Sequence, residues 1–223
     1  NIDYGSLLEY VKYKKSRKIQ DQSINNSLNC ISIYYDYLVN AGRIEYNTAR
    51  DVRVRCAGKK VLQDILTVKQ LDDILSDFAR RPDWNFGSEK IRLLHQRNLV
   101  ILSLMIYQGL VSGEMEKLEV SHVSLSQCKI YIPPSKRSAS RTLKLQAVQV
   151  IPMQQYIHEV RPRLLQKRGV ETGKLFYDKK FADLISRIIG EAKRLNPLVE
   201  SSGQIRSSVI MNWIRQYNLR QVQ

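Results

Sequence analysis

The sequence predicts a mostly α-helical protein with one small antiparallel β-hairpin. Apolar residues recur at three-and-four spacing through most of the 223 residues, which is typical of amphipathic helices. Residues 128–145 instead alternate apolar and polar side chains on either side of a turn rich in Pro, Ser, Lys and Arg, as a β-hairpin does. A basic, aperiodic stretch at residues 53–64 separates the first helices from the rest. We therefore expect a helical domain over residues 1–60, a linker over 61–66 and a larger domain over 67–223.

The first domain is predicted to contain two helices and a short third one. Residues 6–16 place leucine and valine side chains on one face, and residues 21–41 continue the helical periodicity until Gly42, a typical C-cap. Asn47 is the expected N-cap of the short helix. The polar face of the first helix is strongly basic, so this domain is predicted to present a positive surface.

The second domain is predicted to begin with a capping box formed by Thr67 and Gln70, followed by a helix to about residue 80. Ser88 is the expected N-cap of a long helix over residues 89–107. Helices resume after the hairpin because the three-and-four spacing returns. We place them at residues 149–165, 180–195 and 204–217, and we expect Asn218 to open another.

Charge is the clearest compositional signal. The net charge is +15, and residues 129–223 hold 18 basic and 6 acidic residues. So localised an excess favours duplex DNA as the partner over a merely soluble basic surface. A membrane partner is not expected, because no basic amphipathic segment has an apolar face with exposed Trp or Phe. The candidate DNA-binding residues are Lys12, Lys14, Lys15, Arg17, Lys18, Arg137 and Arg141.

Metal, disulfide and cofactor chemistry are not expected. Cys30, Cys56 and Cys128 are widely spaced, and none lies near a histidine at metal-ligand spacing. A metal-dependent nuclease needs converging carboxylates, whereas acidic residues such as Asp72 and Asp77 fall on a predicted helix surface. A helix-turn-helix regulator fits the hairpin and the linker poorly. A helical adaptor protein is the alternative if duplex DNA does not bind.

A glycine-flanked corner follows the long apolar helix. The run NLVILSLMI ends in Gln108-Gly109, and the chain restarts in a short charged turn. Residues 109–118, GLVSGEMEKL, resemble the G-L-R-x-S-E-x-x-x-L segment of the tyrosine recombinases, also called phage-type integrases. Three later segments resemble the family in the same order. They are the hairpin IYIPPSKRSASRTLKL, the segment GQIRSSVIMNWI in place of H-x-x-R and its helix, and NLRQVQ at the start of the helix that leads to L-G-H.

The resemblance implies a helical core-binding domain followed by an α+β catalytic domain. In this family a tyrosine attacks a DNA phosphodiester and forms a 3′-phosphotyrosyl bond, with no metal or cofactor. Arginines bind the non-bridging oxygens, a lysine protonates the leaving 5′-oxygen, and a histidine assists proton transfer. Divergent integrases of bacterial mobile elements match best. This implies a cytoplasmic protein, nucleoid-associated when bound to DNA, that forms a homo-oligomer, a tetramer, on double-stranded DNA.

Two catalytic positions of the family match this sequence, and two are substituted. Lys136 matches the catalytic lysine and Arg206 matches an arginine, while Glu114 matches a carboxylate that supports the site. Val111 stands where the family has its first arginine, and Gly203 stands where it has a histidine. Valine can neither donate a hydrogen bond from its side chain nor stabilise the charge of a transition state.

Two explanations of these substitutions stay open. In the favoured one, the protein is a working but divergent integrase, and Arg137 or Arg141 takes over from Val111. The chain is then expected to be a truncated form, since the family's nucleophilic tyrosine falls after Gln223. In the alternative, the protein is a catalytically degenerate, integrase-like DNA-binding protein. This chain alone is expected to be inactive in both cases, because Tyr217 matches no catalytic position.

Overall fold

The computed structural model describes residues 3–55, 64–80, 88–135 and 138–217. The chain divides into two compact units, Asn1–Leu62 and Gln63–Gln223. The functional assignment of the two domains stays a prediction. Some predicted features lie outside the described residues, namely most of the linker, Lys136 and Arg137 of the hairpin turn, and the helix expected from Asn218.

Two helices and one 3-10 turn make up the described part of the first unit. Helix α1 spans Tyr4–Ser16 and begins where the Asp3 carboxylate accepts the backbone N–H of Ser6 at 2.8 Å, a side-chain N-cap. Helix α2 spans Asp21–Asn40. Gly42 follows it with a φ of 65°, a conformation that glycine adopts without Cβ strain. The predicted end of this helix is therefore observed.

The side chain of Asn47 connects the 3-10 turn of the first unit to α2 by hydrogen bonds. Its side-chain oxygen accepts the N–H of Ala49 at 3.0 Å, at the start of the 3-10 turn Thr48–Asp51, as predicted for an N-cap. Its amide nitrogen donates to the Ser32 carbonyl at 2.9 Å and to the Asp36 carboxylate at 2.7 Å. These bonds offset the cost of burying the amide. The small core of this unit consists of Leu7, Ile24, Leu28, Ala49, Val52 and Val54.

Seven α-helices are described in the second unit, and one of the predicted helices is interrupted. The segment predicted as one helix over residues 149–165 contains a π-helical turn, Tyr156–Val160. Pro162 follows this turn and has no N–H for an ordinary helical bond, which favours the wider turn. The helices are α3 Val68–Ala79, α4 Glu89–Gln108, α5 Ser112–Met115, α6 Ala147–Gln155, α7 Arg161–Gln166, α8 Phe181–Leu195 and α9 Ser202–Gln216.

Helix α4 is the central helix of the second unit. Residues 100–106 are all buried, and a helix that is apolar on every side must be covered on every side. Helices α3, α6, α7 and α9 pack against it. The capping box predicted for α3 is present, whereas Ser88 occupies the N-cap position of α4 without a side-chain capping bond to the described part of that helix. Within the described residues, no helix is long and apolar enough to cross a membrane.

The predicted hairpin is part of a three-stranded antiparallel sheet, in the order β1-β2-β3. Strand β1 is Val123–Ser124, β2 is Lys129–Ile132 and β3 is Arg141–Lys144. Strand β2 buries Ile130 and Ile132 and exposes its other side chains, which is the alternation that predicted it. Strand β1 has only two residues, which are too few to show a period of their own.

Candidate functional site

The chain turns sharply after α4 at Gly109. Its φ of 60° lies in the left-handed region, where an L side chain is strained. A Cβ atom at this position would also lie 3.4 Å from Cγ1 of Val209 in α9. The turn therefore favours glycine for two reasons. It places the Gly109 carbonyl against α9, where this carbonyl accepts a hydrogen bond from Nη1 of Arg206 at 2.8 Å.

Glu114, in the short helix α5, joins three parts of the second unit. Its side chain is only 5% exposed, and its Oε1 lies 2.8 Å from Nη2 of Arg141. Its Oε2 lies 3.1 Å from Nη1 of Arg206. The backbone N–H of Val111 also donates to Oε2 at 3.1 Å. One carboxylate thus connects the corner, the first residue of β3 and α9.

The charges at Glu114 favour its ionised form. Burial by itself raises the pKa of Glu114, because it removes water from the charged carboxylate. The Val111 N–H, the Arg141 guanidinium and the charge of Arg206 outweigh burial and hold the pKa below its ordinary value of 4.5. The carboxylate is therefore ionised at neutral pH. Two guanidinium groups against one carboxylate leave a surplus positive charge, which is the sign that a phosphate requires.

Both arginines line an open cleft of about 290 Å³. The Arg141 side chain is 26% exposed and the Arg206 side chain 33% exposed. Ser138 and Ser140 lie on the same cleft, and Trp213 contributes an apolar wall. Guanidinium and hydroxyl groups donate hydrogen bonds to oxyanions, and guanidinium groups do so in a fixed fork. The cleft therefore has the charge and the donors to bind a phosphate group.

A buried pair of glutamines ties β3 to α4. The side chains of Gln108 and Gln149 exchange amide hydrogen bonds at 2.8 and 2.9 Å. Gln108 also donates to the backbone carbonyl of Lys144, the last residue of β3, at 2.9 Å. Gln149 donates in addition to the hydroxyl of Ser103 at 3.2 Å. Because buried polar groups are costly when unpaired, this network specifies one position for the strand that carries Arg141.

Ser135 and Ser138 close the turn between β2 and β3. The Ser135 N–H donates to the Ser138 carbonyl at 2.9 Å, and the Ser138 N–H donates to the Ser135 hydroxyl at 3.1 Å. The predicted catalytic Lys136 and the predicted DNA-binding Arg137 come between these serines and lie outside the described residues. Their roles stay predictions.

The two substituted family positions, Val111 and Gly203, contribute no polar side chain. Val111 precedes α5 as its N-cap residue and reaches Glu114 through its backbone N–H. Gly203 lies in the first turn of α9, one turn before Arg206, and among the described residues a Cβ there would meet only Ser201 Oγ, at 3.7 Å. The backbone of α9 therefore leaves room for a Cβ at position 203 among the described residues, so contact around that Cβ does not explain why glycine stands where the resemblance implies a histidine.

The basic face of α1 lies in the first unit. The Nζ atom of Lys14 lies 5.2 Å from the centre of the Tyr10 ring, and the Arg17 guanidinium lies 4.7 Å from the centre of the Tyr13 ring. Cations over aromatic faces gain electrostatic attraction. Three other basic residues of this segment are exposed, namely Lys12, Lys15 and Lys18. The DNA-binding role of all these residues stays a prediction.

A second arginine cluster in the second unit has a structural role. Arg97 of α4 is 5% exposed, and it donates from Nε and Nη2 to the Asn98 side chain at 3.2 and 3.0 Å. Asp178 lies 3.5 Å from Arg97 and 3.2 Å from Arg168. Burial lowers the pKa of Arg97. Among the residues that the structure describes, no cluster of His, Cys, Asp or Glu could hold a metal ion.

Sequence reasoning missed the residues that connect distant elements. It named Arg141 as a DNA-binding candidate and as one of two replacements for Val111, and it gave no functional role to Gln108, Gln149 or Ser140. The one available signal for Arg141 was its place in a stretch without acidic residues, residues 130–149. The glutamine pair left no signal, because residues 41 apart have no effect on each other's local periodicity.

Comparisons with known proteins agree on one fold. No protein-family model matches the chain. The tyrosine recombinase XerD of Rickettsia conorii is 23% identical over 158 residues, which cover 70% of this chain and 50% of that protein. The chain thus spans about half the length of the curated relative that it matches.

Two solved structures extend the likeness to the whole chain. The Tn1549 transposon integrase in complex with a circular intermediate DNA superposes with a TM-score of 0.68 at 13% identity, over 100% of this chain and 76% of that one. The lambda integrase tetramer bound to a Holliday junction superposes with a TM-score of 0.63 at 12% identity, over 100% of this chain and 63% of that one. These likenesses confirm the predicted fold class, mostly α-helical with a small antiparallel sheet.

Proposed function

We propose that this chain belongs to the tyrosine recombinase, or phage-type integrase, family and that it binds duplex DNA for site-specific strand breakage and rejoining. The observation that carries the proposal is the pair of guanidinium groups that Glu114 holds at an open cleft. A surplus positive charge at a solvent-open cleft suits a backbone phosphate. The strongly basic stretch over residues 129–223 supplies a long-range attraction for the rest of the duplex.

The proposed chemistry assigns a role to each matched residue. Arg206 donates to a non-bridging oxygen of the phosphodiester and stabilises the charge that builds there in the transition state. Lys136 protonates the 5′-oxygen as it leaves. Glu114 positions Arg206 and does not touch the DNA. The step needs no metal or cofactor in this scheme, because permanently charged guanidinium groups supply the positive charge.

More specifically, we propose that this protein is an integrase of a bacterial mobile element and that it acts as a tetramer on DNA. The likeness to the Tn1549 transposon integrase supports the mobile-element assignment. The likeness to the lambda integrase tetramer supports assembly on DNA. The bacterial relative supports a bacterial protein, and we propose with it a cytoplasmic location and association with the nucleoid when bound to DNA.

A catalytically degenerate DNA-binding protein is the second candidate. The specific observation in its favour is that Val111 and Gly203 contribute no polar side chain where the family has an arginine and a histidine. Reading the coding sequence that follows Gln223 separates the candidates. An L-G-H segment followed by a tyrosine in a helical pattern supports the recombinase, and a stop codon supports the degenerate protein.

Duplex binding is tested by its salt dependence. We expect the 223-residue chain to bind a fluorescently labelled duplex with a log–log slope of affinity against salt of about −5 or steeper, because each neutralised phosphate releases condensed counterions. Fluorescence anisotropy at several salt concentrations measures the slope. A heparin competitor at each concentration controls for active protein. A flat salt dependence would contradict the proposed function.

A further inference from the structure

Resting on the proposed function, we infer that Arg141 binds the same phosphate as Arg206 and supplies the positive charge that Val111 does not. Arg141 touches the phosphate itself and is in this sense a catalytic residue. Arg141 is chosen because its side chain meets the site carboxylate, with Nη2 lying 2.8 Å from Oε1 of Glu114.

The geometry places the two guanidinium groups side by side. Arg141 lies 2.8 Å from Oε1 of Glu114, and Arg206 lies 3.1 Å from Oε2 of the same carboxylate. Both side chains line the same cleft. Among the described residues, the polar contacts of Arg206 use Nη1 and those of Arg141 use Nη2. A guanidinium has five N–H donors, so each side chain retains donors for an oxyanion in the cleft.

The charge balance favours an anion between them. One guanidinium would neutralise the Glu114 carboxylate, and Arg206 is already paired with it. Arg141 is therefore a second positive charge in a partly desolvated site, where like charges repel each other. A bound phosphate would relieve that repulsion. A purely structural partner for Oε1 of Glu114 would not need a permanent charge.

The position of Arg141 is built into the fold. It is the first residue of β3 and pairs with Ile132 of β2, and the Gln108–Gln149 pair fixes the other end of the strand at Lys144. Val111 reaches the same carboxylate through its backbone N–H. A side chain from the corner and a side chain from β3 can therefore both reach the Glu114 carboxylate. In this protein the second positive charge comes from Arg141 of β3.

The experiment measures phosphate binding by the full 223-residue chain with inorganic phosphate as the probe. The ¹⁵N signals of arginine Nε groups are followed during titration, with sodium chloride used to keep the ionic strength constant. We expect the signals of Arg141 and Arg206 to shift with one common dissociation constant. Arg163, which lies 3.7 Å from Glu89 and has a side chain that is 58% exposed, is the control signal and should not shift.

Variants separate contact from positioning. Arg141→Met keeps the aliphatic stem and removes the charge, and we expect it to weaken phosphate binding by about tenfold or more, the effect of one strong charged hydrogen bond. Arg141→Lys should be intermediate, because an ammonium group lacks the fork. Val111→Arg combined with Arg141→Met should recover most of the lost affinity, because it returns a guanidinium to the same carboxylate. Arg163→Met is the matched loss of charge and should bind phosphate like wild type.

Two outcomes overturn the inference. Unchanged phosphate affinity in Arg141→Met would mean that Arg141 only pairs with Glu114. Lost affinity with no recovery in the double variant would mean that Arg141 acts by positioning its neighbours. Duplex binding by wild type is measured alongside with the labelled duplex. If wild type binds the duplex while either outcome occurs, only the inference fails; if wild type does not bind the duplex, the proposed function fails.

Discussion

The Glu114 carboxylate receives two guanidinium groups and one backbone N–H, so its charge acts on all three. Its pKa is lowered in the folded protein. Its contribution to stability is therefore complete above the ordinary value of 4.5 and is lost as the pH falls through the folded pKa. We expect Glu114→Gln to lower the free energy of unfolding at pH 7 by about 1–3 kcal/mol. The difference in free energy of unfolding between this variant and wild type should become smaller below pH 4.5.

Urea denaturation at a series of pH values measures this gap. Glu116→Gln is the matched control, because Glu116 is exposed, two residues along the chain. It should change the free energy of unfolding by less than about 0.5 kcal/mol at any pH. A Glu114→Gln gap that stays constant from neutral to acid pH would show that the ionised carboxylate does not hold the site.

Single residues could be named from the sequence where a family pattern matched, and their roles stay predictions. The resemblance pointed to Glu114 and Arg206, which lie 92 residues apart in sequence and 3.1 Å apart in space. The partnership of Arg141 with Glu114 was not predictable, because an arginine at the start of an exposed strand has several directions available to it. Only the packing of the corner against β3 selects one of them.

Between α4 and α5, the corner depends on Gly109. We expect Gly109→Ala to destabilise the protein by more than the cost of a left-handed alanine alone, which is about 1–2 kcal/mol, because its Cβ would also press on Val209 at 3.4 Å. The shift should in addition move the carbonyl that accepts from Arg206. Urea denaturation measures the change in the free energy of unfolding.

Two other glycines isolate these contributions. Gly169 has a φ of 61°, and no atom of the described residues lies within 4 Å of a Cβ there, so Gly169→Ala reports the left-handed cost alone. Gly113 lies inside α5 with the same open space around a Cβ in the described part of the chain, so Gly113→Ala should be neutral or stabilising by up to about 1 kcal/mol. Equal losses at Gly109 and Gly169 would show that the contact with Val209 has no energetic effect.

Elements were predictable where the local pattern was long. The capping box of α3, the length of α4 and the alternation of β2 all appear in the structure as the sequence indicates. Strand β1 has two residues and shows no period, and the π turn at residues 156–160 differs only slightly from an α-helix in its periodicity. Both depend on neighbouring elements, which local periodicity does not record.

For the whole molecule, charge in both units is expected to contribute to DNA binding. Lys12 and Lys15 are exposed on α1. We expect the double variant Lys12→Gln, Lys15→Gln to bind duplex more weakly and to lower the steepness of the salt dependence by about 0.9 for each phosphate that is no longer neutralised. Fluorescence anisotropy at several salt concentrations measures both quantities. Thermal stability should stay the same, because exposed lysines contribute little to folding.

A second double variant provides the control for this loss of charge. Arg163 and Lys167 of the second unit both pair with Glu89. Arg163→Gln combined with Lys167→Gln removes the same number of positive charges, but from groups that already have an anionic partner. It should leave the slope nearly unchanged. Equal effects of both double variants would indicate a response to net charge alone, and the α1 surface would then have no specific role.

The sequence by itself determined the helical class, the basic character and the presence of a corner at Gly109. These properties depend on composition and on contacts between residues close in the chain, so a linear pattern records them. The tertiary structure decided which residues share the Glu114 carboxylate. Arg141, Arg206 and the Val111 N–H come from three elements, and only the packing of α4, β3 and α9 brings them to one point.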